Sequence, residues 1–152
     1  MAATLRILCA ALGAIALAIA MSMLLQGPEA TLSTGKQAYH ALSGTASIPG
    51  PIWSADMDSE LRFYAAIWGS YGVLLLLVAK NLERRLHWIP WLATVFFFGG
   101  VGRVISIFSI GPPHPFIIIL TVIELAMPLF FWACWARLRI SRHRHSPQGH
   151  VR

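Results

Sequence analysis

Residues 99–124 read GGVGRVISIFSIGPPHPFIIILTVIE, a stretch that is almost wholly apolar yet carries Arg103 near one end and Glu124 at the other. Between the charges lies a turn, Gly111-Pro112-Pro113-His114-Pro115, and apolar residues continue back to Trp88 and on to Trp135. This pattern predicts two membrane-spanning helices joined by a short hairpin, each with one charge inside the apolar slab. Arg103 lies seven residues before Ile110 and Glu124 eight residues after Phe116. At ~1.5 Å per residue these are depths of about 10 and 12 Å, so antiparallel helices would bring the two charges level.

The composition points the same way. The chain is 57% hydrophobic and only 12% charged, whereas a soluble domain carries about 25% charged residues. Two further apolar runs outside the hairpin complete four spans in one 152-residue domain. Residues 7–25 form a first apolar run behind Arg6. Ala18-Ile19-Ala20 would suit a signal-peptide cleavage site, but the run continues through Leu25 and is long enough to span, which favours an uncleaved helix. Residues 61–78 form the second span, with Gly69 and Gly72 placed where a neighbouring helix can come close. The third and fourth spans cover 88–110 and 116–136. Gly99, Gly100 and Gly102 suit close packing in the third, where Gly99, Arg103 and Ser106 share a face. In the fourth, Thr121, Glu124 and Pro128 share a face and Pro128 should kink the helix.

The connections have their own signals. Residues 26–60 form a long polar loop punctuated by Pro28, Pro49 and Pro51, in which Leu32, Tyr39 and Leu42 could give a short interfacial helix an apolar side. Asp56 or Asp58 is the expected N-cap of the second span. Residues 139–152 form a basic, His-bearing tail expected to be disordered. The net charge of +6 suggests nucleic acid until the charges are located. Arg6, Lys80, Arg84, Arg85, Arg137 and the four tail arginines fall on one side of a four-span topology, with Lys36 and Arg62 on the other. The positive-inside rule then places both termini in the cytoplasm, and Trp88, Trp91, Trp132 and Trp135 form a belt at that interface. The partner this implies is the lipid bilayer, with no role for nucleic acid.

With this topology Glu60 and Arg62 begin the second span on the outer side, at a level similar to Arg103 and Glu124. The four charges are expected to meet, with Arg103 paired bidentately to Glu124. An arginine at the bilayer centre costs about 2.5–3.5 kcal/mol on insertion scales, so it should face a partner and not lipid. Tyr64, Tyr71, Ser106, Ser109 and Thr121 can add hydrogen bonds. The candidate binding residues are therefore Glu60, Arg62, Tyr64, Arg103, Ser106 and Glu124, either as a polar pocket open to the outside or as a clasp fixing helix register.

Other chemistry finds little support. No histidine lies within a span, which argues against a bis-His haem, and no HExxH, P-loop or paired CxxC is present. Cys9 and Cys134 read as small apolar filler near the cytoplasmic face, where a disulfide is disfavoured. No catalytic, metal or cofactor residues are assigned.

Four motifs taken together carry a family resemblance: Glu60-Leu61-Arg62-Phe63, Gly99-Gly100-Val101-Gly102-Arg103 with Ser106, Gly111-Pro112-Pro113, and Glu124-Leu125 with Pro128. Over about residues 7–138 the chain resembles the bacterial four-helix membrane proteins grouped as domain-of-unknown-function family forty-three forty-five. The resemblance implies a small multi-pass protein of the bacterial inner membrane and brings no reaction with it. In helix count and size alone the chain is also similar to DoxX-like membrane proteins, some of which associate with redox or quinone chemistry. The expectation is an all-α, integral membrane four-helix bundle acting as a non-enzymatic binding or accessory protein for a lipid or small polar ligand. A small redox or lipid-modifying enzyme and a structural subunit packed against other membrane subunits are the alternatives.

Overall fold

The computed structural model describes residues 1–45 and 54–144, with side chains through Ser141. Pro49, Pro51 and residues 145–152 of the tail, with His145 and His150, lie outside the described residues, as does the side chain of His143. Among the described residues every regular element is helical: α1 (Ala2–Leu25), α2 (Pro28–Ser43), α3 (Ala55–Lys80), α4 (Leu82–Arg85), a 3₁₀ turn (Leu86–Trp88), α5 (Ile89–Ile110) and α6 (Pro115–Arg144). Four stretches, Ala2–Leu25, Ala55–Lys80, Leu82–Ile110 and Pro115–Ser141, are long and apolar enough to cross a membrane. Large apolar side chains such as Ile7, Ile15, Val95, Phe98, Ile105 and Phe108 point outward along them, as a lipid solvent allows.

The spans pack as two antiparallel pairs, α1 on α3 and α5 on α6. Small residues make the first pair possible. A Cβ on Gly72 would lie 2.8 Å from the Gly13 carbonyl oxygen, and one on Gly13 would lie 2.8 Å from the Gly72 carbonyl oxygen. The two backbones therefore touch, with Ala16 and Ala20 of α1 and Ala65 and Gly69 of α3 buried along the same seam, which is the small-residue route to helix association in lipid. The pairs join at the end of the bundle that holds both termini. There Leu5, Cys9, Tyr71, Leu75, Val78, Leu92, Phe96, Phe131 and Cys134 form one core. The Tyr71 hydroxyl crosses between pairs to donate to the Leu92 carbonyl at 3.1 Å, and its ring stacks with Trp68 and Phe96. Trp132 donates to the Pro90 carbonyl at 3.3 Å, tying α6 to the start of α5.

Several element boundaries differ from the sequence reading. The loop expected over 26–60 holds α2, which lies over the opposite end of the bundle against α1, α3 and α6. Gly27 turns the chain into it with φ of 97°, a conformation a side chain disfavours, and Pro28 begins it where no N–H is needed. Of the apolar side expected for it, Leu32 and Tyr39 are half-buried, but Leu42 is 91% exposed and takes no part in docking. The helix docks through Gly35, over which the Phe116 ring sits, and through a 2.8 Å hydroxyl contact between Thr31 and Ser22. The N-cap of α3 is Ser54, which accepts from the Met57 N–H at 3.2 Å; the helix therefore begins ahead of Asp56 and Asp58, which lie in its first turn. The segment 139–144, expected to be disordered, continues α6, which also stays one helix through Pro128. Among the three glycines of α5, only Gly100 meets its neighbour, at Leu125 and the Glu124 Cβ; Gly99 and Gly102 face open space.

Candidate functional site

The α5–α6 pair delivers the charge pair that the sequence predicts. Gly100 lets α6 approach α5 closely, and one turn further Arg103 Nε donates to Glu124 Oε2 at 2.7 Å. The pair is single-pronged, not bidentate. The Arg103 side chain is 39% exposed and that of Glu124 11%. Glu124 shares the buried face of α6 with Thr121 and Pro128, and Thr121 satisfies its own hydroxyl on the Ile117 carbonyl at 2.9 Å.

The geometry of the guanidinium matters. Glu124 occupies Nε and leaves both Nη groups without a protein partner among the described residues. Those two groups form the end-on fork that matches the two oxygens of a carboxylate or phosphate. Glu124 thus orients the arginine while leaving its free end open to an anion.

The other members of the expected cluster are placed elsewhere. Arg62 is held by Asp58, four residues earlier on α3, through Nε at 2.7 Å and Nη2 at 3.4 Å. Its Nη1 donates to the Leu24 carbonyl at 2.6 Å, where a cation meets the unsatisfied carbonyl end of α1. Glu60 is exposed. Tyr64 is exposed and lies edge-on to Phe63. Ser106 and Ser109 are exposed on α5, and Tyr71 serves the core at the other end. The four charges do not meet because α3 packs on α1 and hardly touches α5. The Asp58–Arg62 pair carries a sequence signal that the expected cluster overlooked, an acid four residues before an arginine on one helix.

A second polar cluster had no sequence signal, because its parts are 74 residues apart. His114 in the α5–α6 turn and His40 of α2 meet Nε2 to Nε2 at 3.0 Å, with the Tyr39 ring edge-on to both. The Phe116 N–H donates to His114 Nδ1 at 3.2 Å. A backbone N–H can only donate, so His114 carries its proton on Nε2 and donates to His40 Nε2. His40 then donates from Nδ1 to Thr45 Oγ1 at 2.8 Å. Each ring is neutral in this chain of bonds. Desolvation, then His40, then Lys36 hold His114 below the usual histidine pKa of 6.5. The contact fastens α2 to the α5–α6 turn.

Among the described residues no group of three or more histidine, cysteine or acidic side chains is arranged to hold a metal. Cys9 and Cys134 are free thiols within the core.

No curated protein and no solved structure matches the chain, and the DoxX-like likeness is not shown. One family model does match, described as a domain of unknown function (DUF4345), over residues 4–134. With that match covering most of its length and its four membrane-capable helices, the chain belongs to the DUF4345 family.

Proposed function

We propose that this is a non-catalytic binding protein of the bacterial inner membrane. In this reading Arg103 holds an oxyanion, a lipid headgroup or a small polar molecule, in the outer half of the bilayer. Both termini face the cytoplasm, as the distribution of arginine and lysine favours, so that α2 and the Arg103 half of the bundle face outward. The observation that carries the proposal is the pairing of Arg103 through Nε alone, with its end-on fork unused and its side chain 39% exposed. A pair that served only to fix helix register would use two parallel bonds and leave no fork spare.

The test is native mass spectrometry of the wild type beside Arg103→Lys in mild detergent. Lysine keeps the charge that balances Glu124 but lacks the planar fork. The expected result is a bound mass on the wild type that is lost from the folded variant. A wild type with no bound mass, or a mass that persists on the variant, overturns the proposal.

A second reading, a structural subunit, draws on Gly99 and Gly102. Both face open space on α5, as small residues do where a partner helix packs. Gly99→Leu and Gly102→Leu should then abolish association with partner subunits while the chain itself still folds.

A further inference from the structure

The charged end of the bundle that holds both termini contains a groove of about 640 Å³ between α4, the 3₁₀ turn, the start of α5 and the end of α6. It is remote from Arg103 and owes nothing to the reading above. Arg84 of α4, His87 of the 3₁₀ turn, Trp91 of α5, and Trp135 and Arg139 of α6 line it. Among the described residues Glu83 is the one acid on the lining.

Three observations describe what the groove takes. First, neither Arg84 nor Arg139 has an acidic partner among the described residues. Arg139 instead lies over the Trp135 ring at 5.3 Å, which fixes its stem and leaves its N–H groups for a ligand. The neighbouring Arg85 is different: its Nη1 donates to the Leu77 carbonyl at 2.5 Å and its guanidinium covers Trp88, so it is consumed by the fold. Second, the groove lies within the tryptophan-rich end of α5 and α6, where indole rings prefer the boundary between headgroups and acyl chains. Third, an apolar track leaves it. Trp91, Val95 and Phe98 follow one another at i, i+4 and i+7 on α5 and are 74%, 59% and 65% exposed. Gly102 continues the same face with open space around it.

Two guanidiniums without acidic partners favour an oxyanion such as a phosphate, and the apolar track leading from them favours one that carries an acyl chain. We infer that the groove is a seat for an anionic phospholipid, its headgroup phosphate held between Arg84 and Arg139 and one chain laid along Trp91, Val95 and Phe98. A free anion would have no use for the track, and a zwitterionic lipid would bring a cation against the arginines.

The full-length protein in mild detergent, titrated with phosphatidylglycerol or phosphatidylcholine and read by native mass spectrometry, tests this. The wild type should retain phosphatidylglycerol in preference to phosphatidylcholine. Arg84→Gln with Arg139→Gln should weaken that retention about 30-fold, which is about 2 kcal/mol at a factor of ten per 1.4 kcal/mol. A charge-matched control, Arg6→Gln with Arg137→Gln, alters exposed arginines outside the groove and should change retention by less than about threefold. Equal loss in both double variants would reduce the effect to diffuse charge and overturn the proposal. Equal retention of the two lipids by the wild type would overturn it without any variant. Displacement of the lipid by millimolar inorganic phosphate would also overturn it, because the acyl track would then contribute nothing.

Discussion

Replacing Arg103 and Glu124 singly and together distinguishes a coupled pair from two independent side chains. Arg103→Ala leaves the Glu124 carboxyl, only 11% exposed, without its cation. Breaking a buried pair from one side costs about 3–5 kcal/mol. Glu124→Ala strands the guanidinium, but Arg103 is 39% exposed and its long stem can carry the charge toward headgroups. That loss should stay near 1–3 kcal/mol, at or below the roughly 2.5–3.5 kcal/mol of a central arginine. Independent effects would thus sum to about 4–8 kcal/mol. The double alanine variant strands no charge and loses only the packing of two side chains, about 1–3 kcal/mol. The expected non-additivity is at least about 1 kcal/mol, clear of the roughly 0.5 kcal/mol within which independent sites add. Equilibrium unfolding in mixed detergent, followed by far-ultraviolet circular dichroism, measures all four corners of the cycle. Additivity within about 0.5 kcal/mol would refute the argument that the 2.7 Å contact supplies the compensation that lets a charge sit in α5.

Two further outcomes are expected. Gly72→Ala should lower the melting temperature, because its Cβ would press on the Gly13 carbonyl at 2.8 Å and overpacking of about 1–3 kcal/mol exceeds the ~1 kcal/mol gain in helix propensity. Gly99→Ala, with nothing within 4 Å, should leave it unchanged or raise it, and matching signs in the two melts would refute the packing assignment. Acidification should loosen the α2 clasp. His114 is held below its unfolded value of 6.5, so the unfolded chain takes up the proton first; the stabilisation is complete above 6.5 and is lost as the pH falls through the lowered folded value. Thermal melts at about pH 7.5 and about pH 5.5 should differ more for the wild type than for His114→Asn, and equal differences would show that the His40–His114 contact contributes no pH dependence.

Much of this molecule is legible in the linear pattern, because a bilayer imposes its constraints residue by residue. Each span must be apolar over a fixed length and must satisfy its backbone internally. The four spans, the α5–α6 hairpin and the pairing of Arg103 with Glu124 therefore follow from counting along the chain. A short antiparallel connection leaves the two charges few other places to go. The packing of Gly69 and Gly72 is legible for a similar reason, since small residues on a span mark where another helix comes close. The capping of α3 by Ser54 in place of an aspartate is a local detail: the helix begins at Ala55, ahead of both aspartates.

What the chain pattern could not decide was which span packs on which. Glu60, Arg62, Arg103 and Glu124 lie at similar depths, and depth is all that hydropathy reports. Rotation and neighbour choice come from side-chain packing between helices. The backbone contact of Gly13 with Gly72 commits α3 to α1, brings the end of α1 within reach of Arg62, which is already paired with Asp58 on its own helix, and leaves Arg103 and Glu124 as a pair instead of half of a quartet. The same holds for the clasp between His40 and His114 and for the groove between Arg84 and Arg139. Each joins residues far apart in sequence whose meeting depends on how α2 crosses one end of the bundle and how α6 returns to the other. Sequence alone determined the membrane class, the number of spans and one ion pair, because solvent polarity acts on each residue wherever it sits. The composition of each site was decided by tertiary structure, because only close packing chooses among partners of equal depth.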